Sequence, residues 1–356
     1  MLILPMMTIE LIADKPTLTY WIRVALGSVV AILLIATIVS YLILQTKITA
    51  LQIEPESSFT FDDSFDFSNT PFPIGVNPIT KEILNSSEHN DYVQNFAASY
   101  LARQNTNRWF DRMVSQLSAQ SWFQTIATPH SRILVILPGQ RKEQIADNIG
   151  SILGWDNQEK EIFVSEVTSR TPAFPEGTFF PGRYIVAANA QPEFVASLVH
   201  DRFQRSISNR YPTKHEESLP LLDVLTIASL LERESYEFSE MRIIAGIIWN
   251  RIFIDMNLQI DATLQYARAN KNNDQNWWPV PRPVDKFIDS PFNTYQQPGL
   301  PPAPIANPGV PSILATLNPE STECLFYFHD ARGGFHCSKT YQRHVELIRY
   351  YYGPSG

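Results

Sequence analysis

Two glutamates near the start of the stretch from Leu225 to Asp261 could act as acids. Glu234 falls on the apolar stripe of a predicted helix, where desolvation disfavours the ionised carboxylate and raises its pKa. Such a group can donate a proton and later take one back as a base. The alternative is a carboxylate at the edge of the stripe that reaches water. The other stripe residues are Ile227, Leu230, Leu231 and Phe238.

Glu232 lies on another face of the same helix, with Ala228, Ser229 and Tyr236. The helix therefore offers two acids in unlike surroundings, and the period favours Glu234 as the perturbed one.

Asp261 is the candidate for a second carboxylate, because it follows the short extended piece Leu258–Ile260. Two roles are open to it. It could cap the next helix by accepting from the amide of Thr263 or Leu264, or it could take part in catalysis.

A long irregular segment follows, from Ser290 to Gly309, whose proline and glycine content opposes regular structure. Long irregular segments inside a compact domain are usually functional. Proline bracing would hold polar side chains in place for a polyhydroxyl ligand. Upstream, Trp277 and Trp278 could stack on sugar rings or simply fill a gap.

The elements that must position these residues are mostly helical. One helix carries Glu234, and a second has Ile244, Ile248 and Ile252 inward and ends near Asp255. Near the C-terminus, two short strands flank an Asp-Ala-Arg-Gly-Gly turn between Cys324 and Cys337. These cysteines could form a cross-strand disulfide or remain two buried thiols.

The chain before this part divides by composition. Residues 45–90 are rich in proline, serine and acids and are predicted to form a stalk, although their phenylalanines could dock on the folded body. A helical segment is predicted over 91–130. Residues 131–212 begin with a strand, a Pro138-Gly139 turn and a helix, which resembles half of a LysM-like wall-binding module.

Residues 24–44 carry no charge, and a helix of that length spans roughly 31 Å, about the thickness of a bilayer core. We predict an uncleaved transmembrane anchor; a cleaved signal peptide is the rival interpretation. Lys15 and Arg23 precede the span and Lys47 follows it, which favours a cytoplasmic tail over 1–23 and an exported body.

Composition excludes some functions. With 356 residues and 44% hydrophobic content the chain can bury a core, and its net charge of −8 argues against a general nucleic-acid binder. The histidines show no paired ligand spacing, so no metal or other cofactor is predicted.

Four motifs, in their order and spacing, resemble the YceG-like family, which comprises MltG-type endolytic murein transglycosylases. The resemblance is strong from about Leu219 to the end and weaker over 132–211. The motifs are ASLLERES (Ala228–Ser235), AGIIWNRIFIDMNLQIDATLQYA (Ala245–Ala267), SPFNTYQQPGLPPAPIANPG (Ser290–Gly309) and LFYFHDARGG (Leu325–Gly334) with a later His344.

The resemblance implies an α+β protein with a transmembrane helix, a LysM-like small α/β portion and a mostly helical catalytic domain over 219–356 that ends in a β-hairpin. It implies that Glu234, the second acid of the family's E-[KR]-E motif, is catalytic. It marks these residues as substrate-binding: Asn250, Arg251, Gln259, Asp261, Asn293, Thr294, Tyr295 and Asn307.

The implied activity is endolytic cleavage of the bond between N-acetylmuramic acid and N-acetylglucosamine, leaving 1,6-anhydro ends. The implied partners are glycan strands and cell-wall synthases, at the outer side of the cytoplasmic membrane. Two alternatives are a muramidase-type hydrolase that uses Glu234 with Asp261, and an inactive peptidoglycan-binding scaffold.

Overall fold

The structure is a computed structural model that describes residues 70–84, 91–98, 131–272 and 276–353. The predicted anchor (24–44) and cytoplasmic tail (1–23) lie outside these residues, as does the predicted helical segment beyond residue 98. Residues 91–98 are helical. Over the described ranges, no helix combines the length and apolar character needed to cross a bilayer.

The first of two hydrophobic cores belongs to residues within 131–206. Strand β3 (Ser131–Ile136) pairs antiparallel with β4 (Gly182–Ala187), from Ser131 opposite Ala187 to Ile136 opposite Gly182. Between them run α1 (Lys142–Leu153) and α2 (Asn157–Ser169), and α3 (Pro192–Ser206) follows. The core residues include Leu134, Ile136, Ile145, Ile149, Phe163, Val167, Phe179, Val195 and Val199.

Helix α2 is missing from the sequence prediction because its apolar stripe is weak, and only Phe163 and Val167 are buried. The residues at the start of α2 nevertheless indicate a helix N-terminus. Asp156 accepts from the amide of Glu159, and the Glu159 side chain accepts from the amide of Asp156, so the pair forms a capping box.

The second core is centred on α4 (Leu221–Glu234), whose inner residues Leu225, Ile227, Leu230 and Leu231 are fully buried. Around it lie α5 (Phe238–Phe253), α6 (Asp261–Asn272) and α7 (Val310–Leu317). A helix that is apolar on nearly all sides must be surrounded by others, which explains its central position. Short 3-10 turns occur at Ser208–Arg210, Thr213–His215 and Pro283–Phe287.

The C-terminal hairpin has the predicted form. Strand β5 (Phe326–His329) pairs antiparallel with β6 (Phe335–Ser338), and α8 (Tyr341–Tyr352) follows. Cys324 and Cys337 form a disulfide. The register places Cys337 opposite Tyr327, so Cys324 lies just before β5 and the bond closes the open end of the hairpin. Mixed helix and sheet confirm the α+β class.

The predicted stalk needs correction over residues 70–84. Strands β1 (Val76–Asn77) and β2 (Glu82–Ile83) form a small hairpin there. Phe72 and Val76 are buried in the second core, and the amide of Gly75 donates to the carbonyl of Leu317 at 2.8 Å. The apolar residues of this segment therefore dock on the body, as the alternative interpretation allowed.

Candidate active site

Glu234 is the last residue of α4, and the chain turns to extended backbone at Ser235. The residue is half-buried, and protein atoms surround its carboxyl group. Burial raises the pKa of Glu234; the hydroxyl of Tyr327 opposes this, the charge of Asp261 adds to it, and His329 and Arg233 oppose it. The net effect is a pKa raised above the ordinary value of a glutamate, which is the direction that favours a proton donor.

Tyr327 is the residue that the sequence did not single out. Its hydroxyl donates to Oε2 of Glu234 at 2.8 Å, from a position 93 residues further along the chain. Burial raises the pKa of Tyr327 well above its ordinary value, so it stays a donor. The alternation of side chains along β5 could have indicated the position of Tyr327. Phe326 and Phe328 pack towards His344 on α8, so Tyr327 faces the opposite side of the strand.

Two of the predicted binding residues hold the segment that leads into β5. The amide nitrogen of Asn250 donates to the carbonyls of Thr322 (2.7 Å) and Cys324 (3.2 Å). Nε of Arg251 donates to the carbonyl of Leu325 at 2.7 Å, and another of its nitrogens donates to the carbonyl of Leu258. These contacts position the hairpin, and hence Tyr327, from helix α5.

A second group of predicted residues meets at the start of α6. The hydroxyl of Tyr295 donates to Oδ1 of the exposed Asp261 at 2.7 Å. The amide of Gln259, a residue in the left-handed region (φ 51°), donates to the carbonyl of Thr294. The hydroxyl of the buried Thr294 accepts from the amide of Ile260 at 3.0 Å. The carboxylate of Asp261 and the hydroxyl of Tyr295 thus lie together, and both are close enough to Glu234 to interact with its charge.

The expected capping role of Asp261 is not what the structure shows. Asp261 is the first residue of α6, and its carboxylate accepts from Tyr295. The amide of Thr263 donates instead to the carbonyl of Ile260. The carboxylate of Asp261 is therefore exposed to solvent at the site.

Asn293 supports the loop from within. It is fully buried, and its Nδ2 donates to the carbonyls of Lys286 (3.1 Å) and Ile288 (2.8 Å), while its Oδ1 accepts from the amide of Tyr295. Every polar atom of this side chain serves the backbone, so it orients Tyr295 rather than facing a ligand.

Asn307 connects the second core to residues of the first. Its Oδ1 accepts from the amide of Phe179 at 2.8 Å, and its Nδ2 donates to the carbonyl of Gln140 and to Oε1 of Glu176. The residue is fully buried. These bonds use both polar atoms of the side chain at the junction between the two cores, so Asn307 has a structural role there.

The two acids of α4 have different partners, but burial raises the pKa of Glu232 as well as that of Glu234, so the helical period does not distinguish a single perturbed acid. Oε2 of Glu232 accepts from the amide of Gly309 (3.0 Å) and the hydroxyl of Ser312 (2.7 Å), at the start of α7. Its carboxylate therefore satisfies the N-terminus of a helix. This is a structural role.

The adjacent tryptophans each lie beneath a guanidinium group. Arg233 is 3.9 Å from the ring centre of Trp278, and Arg141 is 5.3 Å from that of Trp277. Both rings are half-buried. In the part of the chain that the structure describes, no group of three or more His, Cys, Asp or Glu residues is arranged to hold a metal ion.

Comparisons with known proteins identify the family of the chain. The YceG-like family matches residues 80–350. A Bacillus subtilis protein named endolytic murein transglycosylase is 40% identical over 196 residues, covering 53% of this chain and 52% of that protein. One of the same name from Streptococcus pneumoniae (strain D39) is 26% identical over 227 residues, covering 56% of this chain and 41% of that protein. The chain thus spans about half the length of these relatives.

A solved structure shows the same fold. The 2.6 Å crystal structure of a YceG-like protein from Listeria monocytogenes superimposes with a TM-score of 0.52 at 22% identity. The match covers 72% of this chain and 95% of that one.

Proposed function

Because the chain belongs to the YceG-like family, we propose that it is an endolytic murein transglycosylase that cuts the glycan strands of peptidoglycan internally. The observation that carries the proposal is the carboxyl of Glu234, whose pKa burial raises and which the hydroxyl of Tyr327 orients. Two relatives that share the name support it.

The reaction needs one group that is first an acid and then a base. Tyr327 bonds Oε2 of Glu234, which leaves Oε1 to carry the proton. Glu234 gives that proton to the glycosidic oxygen between N-acetylmuramic acid and N-acetylglucosamine. The bond from C1 of the muramic acid to that oxygen breaks, and the N-acetylglucosamine end leaves as an alcohol. The resulting carboxylate takes the proton of the muramic C6 hydroxyl, whose oxygen closes on C1 and forms the 1,6-anhydro ring. No water is consumed.

The polar groups beside the acid suit the charge that develops on the sugar. The oxocarbenium-like transition state gains from fixed negative and dipolar groups, and Asp261 with its Tyr295 partner supplies them. Gln259, whose side chain is exposed, completes the proposed contact surface at this end of α6. Asn250, Arg251, Asn293 and Thr294 act through the backbone that they hold.

Product analysis tests the proposal. We expect isolated glycan strands treated with the protein to yield shorter strands with 1,6-anhydro ends, which mass spectrometry separates from reducing ends by one water. Reducing ends would instead support a muramidase that uses Asp261 as second carboxylate. Intact strands would support a binding scaffold.

We also propose that residues 24–44 anchor the chain in the cytoplasmic membrane, with residues 131–212 binding the wall on the outer side near the synthases. The uncharged run and the excess of basic residues before it motivate this topology. Reporter fusions after residue 60 should be active outside the cytoplasm; activity confined to the cytoplasm would contradict the topology.

A further inference from the structure

Arg233, the residue before the proposed acid, forms no ion pair with any residue that the structure describes, although the charges of Glu232 and Glu234 act on it. It lies in the last turn of α4, and desolvation lowers its pKa. Among the residues that the structure describes, no acceptor bonds its guanidinium, and its Nε is enclosed without a partner. A desolvated charge with no partner costs free energy, so a protein that keeps one usually uses it.

The nearby acids act on Arg233 through their charge, but neither is hydrogen-bonded to it. Glu232 is engaged by Gly309 and Ser312, and Glu234 is engaged by Tyr327. Each carboxyl thus already has a hydrogen-bond partner other than Arg233. The positive charge of Arg233 therefore remains available to a ligand.

The orientation of the guanidinium is fixed. Its carbon lies 3.9 Å from the centre of the Trp278 ring, close enough for a cation-π contact. The backbone of Gly139 packs against the same side chain: a Cβ added to Gly139 would lie 3.3 Å from Nη1 of Arg233. A stacked, planar fork held in this way is pre-organised for bidentate binding of a carboxylate.

We propose that Arg233 binds a carboxylate carried by the glycan strand, next to the glycosidic oxygen that Glu234 protonates. The inference rests on the proposed function and adds a charge requirement to it. Peptidoglycan offers two such groups: the lactyl carboxylate of an unsubstituted muramic acid and the carboxylates of the stem peptides. A neutral polysaccharide with the same backbone would lack this contact.

The test measures binding by protein with the Glu234→Gln change, so that strands are not cut. Four ligands are compared: chitin oligomers, strands stripped of peptides, peptide-bearing strands, and peptide-bearing strands whose carboxylates have been converted to amides by carbodiimide and ammonia. We expect amidation to weaken binding about tenfold, the usual scale for one charge-assisted hydrogen-bonding group. The stripped strands show whether the lactyl group alone suffices.

The same measurements are repeated after Arg233→Gln, Arg233→Lys and Arg343→Gln. Arg343 is an exposed residue of α8 paired with Glu346, so its variant controls for net charge. Arg233→Gln should bind amidated and unmodified strands equally. Arg233→Lys should keep part of the difference in affinity between the two kinds of strand. Arg343→Gln should show the same difference as the parent, the protein that carries only Glu234→Gln. Circular dichroism checks that each variant folds.

An equal effect of amidation on the parent and on Arg233→Gln would overturn the assignment. Charge-independent binding by a protein that still makes anhydro ends would refute the Arg233 role alone. A protein that neither binds nor cuts any strand would refute the proposed function together with it.

Discussion

The Glu234→Gln variant is expected to lose at least about 100-fold of its glycan-cleaving activity, the usual contribution of general acid-base catalysis. Glutamine keeps the volume and can still accept from the hydroxyl of Tyr327. It has no titrating proton, so it can neither protonate the leaving oxygen nor deprotonate the C6 hydroxyl. Release of anhydro ends, followed over time, measures the loss.

The neighbouring acids provide matched controls. Glu232→Gln keeps an acceptor for Gly309 and Ser312, so activity should change little while stability falls by about 1 kcal/mol. Asp261→Asn should cause a mild loss, since it leaves the proposed acid in place. Reducing ends from the wild type, with Asp261→Asn as damaging as Glu234→Gln, would favour a two-carboxylate hydrolase.

The second large effect concerns the stability of the junction between the cores. Glu176 is fully buried, its carboxylate accepts from the amide of Lys142 and from Asn307, and burial raises its pKa to about 7 from 4.5. The folded protein therefore holds a proton that the unfolded chain has already released between these pH values. The stabilising contribution is complete below pH 4.5 and is lost as pH rises through 7.

Such a shift corresponds to about 3 kcal/mol in the free energy of unfolding. Urea unfolding of the wild type from pH 4 to 8 should show this decline. Glu176→Gln, which mimics the neutral acid, should remove that part of the slope and be the more stable protein above pH 7. Parallel curves for the two proteins would show that the pKa of Glu176 does not change on folding.

The sequence predicts helix α4 and the place of Glu234 on it because both depend on a local period. It also predicts the hairpin, whose strands adjoin one turn. Tyr327 could not be paired with Glu234 in the same way, since 93 residues separate them and only the packing of α5 against the hairpin brings them together. Contacts of this kind are absent from any single stretch of sequence.

In the irregular segment from Ser290 to Gly309, the roles of the polar side chains could not be predicted from the sequence. Its asparagines resemble ligand-binding residues, but in the structure their side chains form hydrogen bonds with backbone groups. A buried segment without a helix or sheet must satisfy its own amides and carbonyls, and Asn293 and Asn307 do this. Sequence alone cannot tell an amide that faces a sugar from one that faces the main chain.

The location of Glu234 at the carboxyl end of α4 has a consequence for evolution and engineering. The unpaired carbonyls there carry a partial negative charge, which disfavours a carboxylate by up to about 1 kcal/mol. The backbone thus helps to keep the acid protonated, and the same effect makes this glutamate a poor choice for stability. In a library selected only for heat resistance, glutamine or a basic residue should replace it, and catalytic selection alone would restore the glutamate.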